Sequence, residues 1–377
     1  MKLKTKLIHA GIDGDPHTGA VVPPIYQVST FEQDGIGQNK GYAYSRANNP
    51  TREAVETYIA EIEGGVRGFA FSSGMAALST VLLLFGHGDH VICGDDMYGG
   101  TYRVVTQVFS RFGLEVSFVD AGDVAKIEAA VQKNTKAVLL ETPSNPLMKV
   151  ADIGKAAEFT RANGLLLIVD NTFLTPYWQN PLALGADIVY HSASKYLGGH
   201  SDLIAGLVVV KDEEIGERLH FLQKSVGSVL GPQEAWLLLR GMKTLGVRME
   251  EHEANARVIA DWLRRRPDVL KVHDPGLPDH PGHQIAKSQA RGFGATFSFE
   301  VESAAKAESV LQNVRLFKNA ISLGSVESLI TIPAHMTHAS IPPERRAQLG
   351  ITDRLIRVSV GLEDVGDLIE DLEQALS

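Results

Sequence analysis

Seven short apolar runs divide the first 210 residues of the chain, and helix-like stretches lie between most of them. The runs are residues 68–71, 90–93, 116–119, 137–140, 165–169, 188–190 and 207–210. The helix-like stretches are residues 50–63, 74–85, 99–112, 123–132 and 152–163. Buried strands that alternate with helices are typical of a mainly parallel sheet covered on both faces. We therefore predict an α/β fold, with any ligand bound beyond the carboxyl ends of the strands.

The length of 377 residues suits two packed domains and an additional arm. Residues 1–47 contain many turn formers and little periodicity, so we expect an arm that lies along another surface. Residues 48–240 hold the predicted sheet. Residues 241–377 predict a smaller α+β domain, with a long helix over 243–266, a strand over 294–300 and a last helix over 365–376.

Charge and composition exclude several classes of protein. The formal net charge of −9 argues against a surface for nucleic acid or anionic membranes. The single cysteine, Cys93, allows no intrachain disulfide, and no apolar stretch approaches the length of a membrane span. The two His-x-x-His pairs lack an acidic partner and helical context, so no metal site is predicted. These features predict a cytoplasmic protein that binds neither nucleic acid nor membrane.

Lys195 directly follows the end of a predicted buried strand. A lysine among small residues at such a point is partly desolvated, which lowers its pKa and makes the neutral amine available as a nucleophile for a Schiff base. Ser192 and Ser194 precede it at a spacing that allows both hydroxyls to hold a phosphate. This combination suggests an enzyme that carries pyridoxal phosphate (PLP) on Lys195.

Three further segments follow predicted strands. Asp170 is either a turn or capping residue or the carboxylate that keeps a pyridine nitrogen protonated, which makes the ring an electron sink. Gly74 and Met75 open a helix, where backbone N–H groups attract an anion, although such turns are common. Tyr98 is either a packing residue or a ring that stacks on a cofactor.

Taken together, the motifs of this chain resemble the transsulfuration, or Cys/Met metabolism, branch of the fold-type I PLP enzymes. The resemblance covers nearly the whole chain. The segments that carry it are Tyr44-Ser45-Arg46, Asn49-Pro50-Thr51-Arg52, Ser73-Gly74-Met75, Tyr98-Gly99-Gly100-Thr101, Glu141-Thr142-Pro143-Ser144-Asn145-Pro146, Val169-Asp170-Asn171, Ser192 to Ser201, and Arg357-Val358-Ser359.

The resemblance implies a role for each matching position. Lys195 would bind PLP covalently and move protons on the substrate, Asp170 would pair with the pyridinium nitrogen, and Tyr98 would stack on the ring and assist at the leaving sulfur. The residues that the resemblance assigns to the phosphate are Gly74, Met75, Ser192 and Ser194, with Tyr44 and Arg46 supplied by a neighbouring subunit. The residues that it assigns to the substrate are Arg357, Ser322 and Asn145. The family implies a homotetramer built as a dimer of dimers.

The pattern is most similar to bacterial cystathionine γ-lyases and nearly as similar to β-lyases. It implies a carbon–sulfur lyase that acts on a small sulfur amino acid and favours γ-cleavage of cystathionine. A cystathionine β-lyase, a methionine or homocysteine γ-lyase and a cystathionine γ-synthase stay open as alternatives. Ile321 stands where many of these γ-enzymes have a glutamate, and an isoleucine suits an apolar substrate tail. Gly100 stands where methionine γ-lyases usually carry a cysteine.

A PLP-binding protein without catalytic activity is the alternative outside the enzyme class. Lys195, Asp170, Tyr98 and Arg357 occur together here, and a binding role needs no electron sink. That combination favours an enzyme.

Overall fold

The larger of two sheets contains seven strands. The computed structural model describes residues 1–11, 14, 15 and 17–377. The strands are β1 (Arg67–Phe71), β2 (His90–Gly94), β3 (Glu115–Val119), β4 (Thr135–Glu141), β5 (Leu166–Asp170), β6 (Ile188–Ser192) and β7 (Gly206–Val210). Each predicted run coincides with one of them, although the run over 165–169 begins one residue before β5. The strand order is β1-β7-β6-β5-β4-β2-β3.

The pairs among β2 to β6 are all parallel, whereas β7 pairs antiparallel with both β1 and β6. The central strands are buried on both faces, because helices cover the sheet above and below. The predicted mainly parallel α/β sheet is therefore confirmed.

The helices fall between the strands and after the sheet. In chain order they are α1 (Leu3–His9), α2 (Pro50–Glu63), α3 (Gly74–Leu82), α4 (Gly99–Arg103), α5 (Val124–Ala129), α6 (Ile153–Ala162), α7 (Thr175–Trp178), α8 (Glu213–Val226), α9 (Pro232–Lys243), α10 (Leu245–Arg264), α11 (His283–Gln289), α12 (Ala304–Asn313), α13 (Pro343–Leu349) and α14 (Val365–Leu376). Their starts are set by local chemistry: the Asn49 side chain accepts hydrogen bonds from Thr51 N and Arg52 N at the start of α2, and Ser73 caps α3.

The predicted continuous helix over residues 99–112 is wrong in detail. After α4 the chain forms a π-helical turn (Val104–Val108) and then a 3-10 turn (Phe109–Phe112). The Thr106 hydroxyl donates to Tyr102 O at 2.7 Å, and the Ser110 hydroxyl donates to Thr106 O at 2.6 Å. Such side-chain bonds to the preceding turn compete with regular helical bonding.

A second, five-stranded sheet follows in the last third of the chain. It contains β8 (Val269–His273), β9 (Thr296–Val301), β10 (Lys318–Asn319), β11 (Leu329–Thr331) and β12 (Leu355–Ser359), in the order β10-β11-β12-β9-β8. Its central strand β12 is fully buried. None of the described helices is long and apolar enough to cross a membrane.

Within residues 1–47, α1 is a helix that the sequence reasoning missed. It packs on the rest of the chain through Leu7, which is buried, and the Tyr58 hydroxyl donates to Leu7 O at 2.8 Å. Most other described residues of this segment form turns and irregular chain, as its glycines and prolines predict.

Candidate active site

A pocket of about 800 Å³, its open mouth included, lies at the carboxyl ends of the parallel strands and against the second sheet. All but two of the predicted site residues line this pocket. The residues that line it are Gly74, Met75, Tyr98, Asn145, Asp170, Ser192, Ser194, Lys195, Ile321, Ser322 and Arg357.

Lys195 lies in the turn that follows β6. Its Nζ donates to the Ser322 hydroxyl at 2.8 Å. Burial, and next the positive charge of Arg357, lower the pKa of Lys195 to about 8 from an ordinary 10.5. A substantial fraction of this amine is therefore neutral near physiological pH, as a nucleophile requires.

Arg357 enters the pocket from β12 of the second sheet and is 2% exposed. Its Nη1 donates to Asn145 Oδ1 at 2.9 Å and its Nη2 donates to Ser322 O at 2.8 Å. Burial lowers the pKa of Arg357 to about 10, so the group stays cationic at neutral pH. Its buried Nε has no hydrogen-bond partner among the described residues. A fixed guanidinium beside an amine can bind a carboxylate.

Asp170 is the last residue of β5 and is 9% exposed. Its Oδ1 accepts hydrogen bonds from Thr172 N at 2.9 Å and from the Thr172 hydroxyl at 2.5 Å. Burial raises the pKa of Asp170 despite these donors. This carboxylate lies in the pocket without an ion-pair partner among the described residues, and a cationic ligand group would stabilise it.

The first turn of α3 and the end of β6 form one wall of the pocket. The Ser73 side chain accepts from Ala76 N at 3.0 Å, and the first N–H groups of the helix have no acceptor within it. A Cβ atom at Gly74 would lie 2.8 Å from Ser192 Cβ, so only glycine allows this approach. The Ser194 hydroxyl accepts from Ala205 N at 2.9 Å, which fixes the loop between β6 and β7. This wall can hold an anion.

Tyr98 precedes α4, and its backbone N–H donates to Glu141 Oε2 at 2.8 Å. A Cβ atom at Gly100 would lie 2.3 Å from Tyr98 Cε1, so the glycine leaves room for the ring in its present position.

Tyr44 and Arg46 do not line this pocket. Tyr44 is 46% exposed, the Arg46 guanidinium lies 5.6 Å from the centre of its ring, and Arg46 Nη1 donates to Lys224 O. Ile321 lines the pocket and is 60% exposed.

Glu141, Thr172 and Tyr190 also line the pocket, and the sequence reasoning gave none of them a role. Glu141 is the last residue of β4, whereas Tyr190 is the third of the five residues of β6 and the last residue of the predicted run over 188–190. The rule that led to Asp170, a polar residue at the end of a buried strand, would have found both.

The pocket thus brings together a lysine of lowered pKa, a carboxylate at a strand end, a helix N-terminus and an arginine that could bind a carboxylate. This combination is what a PLP-dependent enzyme requires. Comparison with known proteins leads to the same class. The family described as Cys/Met metabolism PLP-dependent enzyme matches residues 4–377.

A cystathionine γ-lyase of Bacillus subtilis (strain 168) is 57% identical to this chain over 376 residues, which cover 100% of this chain and 99% of the relative. A cystathionine β-lyase of Lactococcus lactis subsp. cremoris (strain MG1363) is 54% identical over 374 residues, covering 99% and 98%. The crystal structure of a cystathionine γ-lyase from Lactobacillus plantarum complexed with L-serine superposes with a TM-score of 0.98 at 52% identity, covering 100% and 98%.

The chain belongs to the Cys/Met metabolism family of PLP-dependent enzymes. The predicted cofactor and the predicted class, a PLP-dependent carbon–sulfur lyase that acts on a small molecule, are confirmed. The residues present fit PLP on three counts. The pKa of Lys195 is lowered, the buried carboxylate of Asp170 has no ion-pair partner among the described residues, and Gly74 leaves space beside Ser192 that any side chain would occupy.

Proposed function

We propose that this chain is a cystathionine γ-lyase, which converts L-cystathionine to L-cysteine, 2-oxobutanoate and ammonia. The observation that carries the proposal is the 57% identity over the whole chain to a cystathionine γ-lyase. The geometry supports an amino-acid substrate, because the Ser322 hydroxyl accepts from the Lys195 amine and its carbonyl accepts from the Arg357 guanidinium. An α-amino acid whose carboxylate pairs with Arg357 therefore brings its α-carbon near the Lys195 amine. The 57% identity to a named γ-lyase supports the reaction type.

PLP would be held covalently by Lys195, with its ring nitrogen at Asp170. The residues that would hold its phosphate are Gly74, Met75, Ser192 and Ser194. When bound, PLP supplies an electron sink for negative charge that develops on the substrate. A negative Asp170 would keep the ring nitrogen protonated.

The chain's own side chains would position the substrate and move its protons. The substrate carboxylate would accept hydrogen bonds from the remaining N–H groups of Arg357, and Asn145 and Ser322 would assist in binding it. Because the pKa of the Lys195 amine is about 8, this amine can accept a proton from the substrate α-carbon and return it later. Tyr98 would stack on the cofactor ring and donate a proton to the leaving sulfur.

Tyr44 and Arg46 would complete the phosphate site of a neighbouring subunit. Their positions outside the pocket of their own chain and the exposure of Tyr44 support this proposal. We accordingly propose a homotetramer arranged as a dimer of dimers, located in the cytoplasm. The proposed division is an arm over 1–47, a PLP-binding domain over 48–240 and a C-terminal domain over 241–377, with the second boundary inside α9.

A β-lyase is the second candidate, supported by relatives of that name at 54% identity. The exposed apolar side chain of Ile321 favours a further alternative, a methionine or homocysteine γ-lyase, because it offers no charge to the distal ammonium of cystathionine. A γ-synthase shares the same machinery.

The deciding experiment supplies cystathionine to the purified holoenzyme and quantifies both keto acids. We expect cystathionine to yield more 2-oxobutanoate than pyruvate. We also expect kcat/KM to be higher for cystathionine than for methionine or homocysteine. Excess pyruvate would instead identify a β-lyase. A γ-synthase would consume an activated homoserine ester together with cysteine more efficiently than it cleaves cystathionine.

A further inference from the structure

Three buried carboxyl groups lie beside one another where β2, β4 and β5 end. Glu141 is the last residue of β4 and pairs in register with Asp170, the last residue of the adjacent strand β5. Asp96 lies two residues beyond β2, which is the neighbour of β4 on its other side. All three are at most 9% exposed.

These carboxyl groups differ in the donors that they receive. Asp170 accepts from both the N–H and the hydroxyl of Thr172. Asp96 accepts from the Ser144 hydroxyl and from Leu147 N. Among the residues that the structure describes, Glu141 accepts only from Tyr98 N, and none of the three carboxyl groups takes part in an ion pair. Glu141 is thus the carboxyl group whose negative charge is least compensated.

The charged and titratable groups around Glu141 do not compensate its negative charge either. Asp170 on β5 and Asp96 beyond β2 oppose a negative charge there, and the Tyr190 phenol on β6 supplies none at neutral pH. Arg357 on β12 is the cation that favours a charged Glu141, and its hydrogen bonds are directed to other groups. Burial, followed by the charge of Asp170, raises the pKa of Glu141 well above its usual value, although Arg357 opposes the rise.

We propose that Glu141 carries a proton in the working enzyme and that this neutral acid keeps the adjacent Asp170 ionised. Two carboxyl groups that share a buried site cannot both ionise readily, and the proton stays on the one with fewer donors. Glu141 is accordingly a positioning residue, which acts through Asp170 and through the backbone of Tyr98. The inference rests on the proposed role of Asp170 opposite the ring nitrogen and is independent of which sulfur amino acid is cleaved.

The first test is infrared spectroscopy of the holoenzyme at pH 8. A protonated carboxyl group has a C=O stretch that an ionised group lacks. We expect this band in the wild type, and we expect Glu141→Gln to remove it. The matched control Asp96→Asn replaces the neighbouring acid and should leave the band in place. Persistence of the band in Glu141→Gln, or its absence from the wild type, would overturn the proposal.

Glu141→Met, which has a similar size and no carboxyl group, provides a second variant if Glu141→Gln does not fold. It too should lack the band. Because no substrate is present, failure of the proposed γ-lyase reaction leaves this result unchanged.

The second test compares kcat/KM for the best substrate. Glu141→Ala leaves Tyr98 N without its acceptor and should lose about 10-fold or more. Glu141→Gln is neutral and retains an acceptor for Tyr98 N, so it should recover most of that loss. If Glu141→Gln is as impaired as Glu141→Ala, the charge of Glu141 is required and the inference is wrong.

Discussion

The amine of Lys195 can be titrated directly in the full-length protein after its cofactor has been removed. The perturbation is a change of pH from 6 to 10 in the presence of an amine-acylating reagent. Only the neutral amine reacts, so the labelling rate follows the fraction of Lys195 that has lost its proton.

The pKa of about 8 fixes the size of the expected effect. At pH 8 about half of the Lys195 amine is neutral, compared with roughly 0.3% of an amine that has the ordinary lysine pKa of 10.5. The difference in neutral fraction is about 160-fold. Burial is its larger cause and the Arg357 charge is the second, so Arg357→Met should move the midpoint to higher pH.

Peptide mass spectrometry of briefly labelled protein measures the rate for each lysine. We expect the Lys195 peptide to reach half of its maximal rate near pH 8. Arg354→Met is the control for the loss of a positive charge, because it removes a partly exposed guanidinium directly before β12. A Lys195 midpoint at pH 10 or above would refute the desolvation argument.

Three further predictions concern the holoenzyme. Arg357→Lys should raise KM by about 10-fold, because a fork that can make two charge-assisted bonds, worth about 1.5 kcal/mol each, becomes a point charge that can keep one of them; steady-state kinetics with a properly loaded variant measures this, and an unchanged KM would place the carboxylate site elsewhere. Lys195→Ala and Arg46→Ala oligomers should each be nearly inactive, and subunit exchange between them should restore part of the activity; no recovery, with exchange verified independently, would indicate that each site is built from one chain. Ile321→Glu should raise kcat/KM for cystathionine relative to methionine by roughly 10-fold or more, equivalent to about 1.4 kcal/mol; an unchanged ratio would show that specificity is set by other residues.

The sheet was predictable because burial on both faces leaves continuous apolar runs. Each of the seven runs marks a strand, and the ends of the observed strands differ from those of the runs by at most two residues. The helices α8 and α9 were missed although Asp212 caps the first and Pro232 opens the second, which are recognised start signals.

Sequence reasoning predicted those pocket residues that are close together in the chain better than those that are far apart in it. Lys195, Ser192 and Ser194 lie next to one another in sequence at one strand end, so their position follows from that strand. Arg357 and Asn145 are 212 residues apart, and their side chains meet although one lies on β12 and the other lies four residues beyond β4. No periodicity encodes that meeting, and only the family resemblance indicated it. The backbone N–H of Tyr98 and the Glu141 side chain meet across 43 residues, and neither periodicity nor the resemblance indicated this contact.

The two-sided hydrogen bonding of Ser322 constrains how this enzyme can diversify. Its side chain accepts from the amine of Lys195, and its backbone carbonyl accepts from Arg357, the residue that we propose binds the amino-acid carboxylate. A shift of Ser322 would therefore change the affinity for the substrate and the reactivity of the Lys195 amine together. New substrates are more easily accommodated by replacing its neighbour Ile321, whose exposed side chain projects from the same backbone without either bond. Selection for a new substrate tail can act at position 321 while position 322 continues to hold the reaction centre.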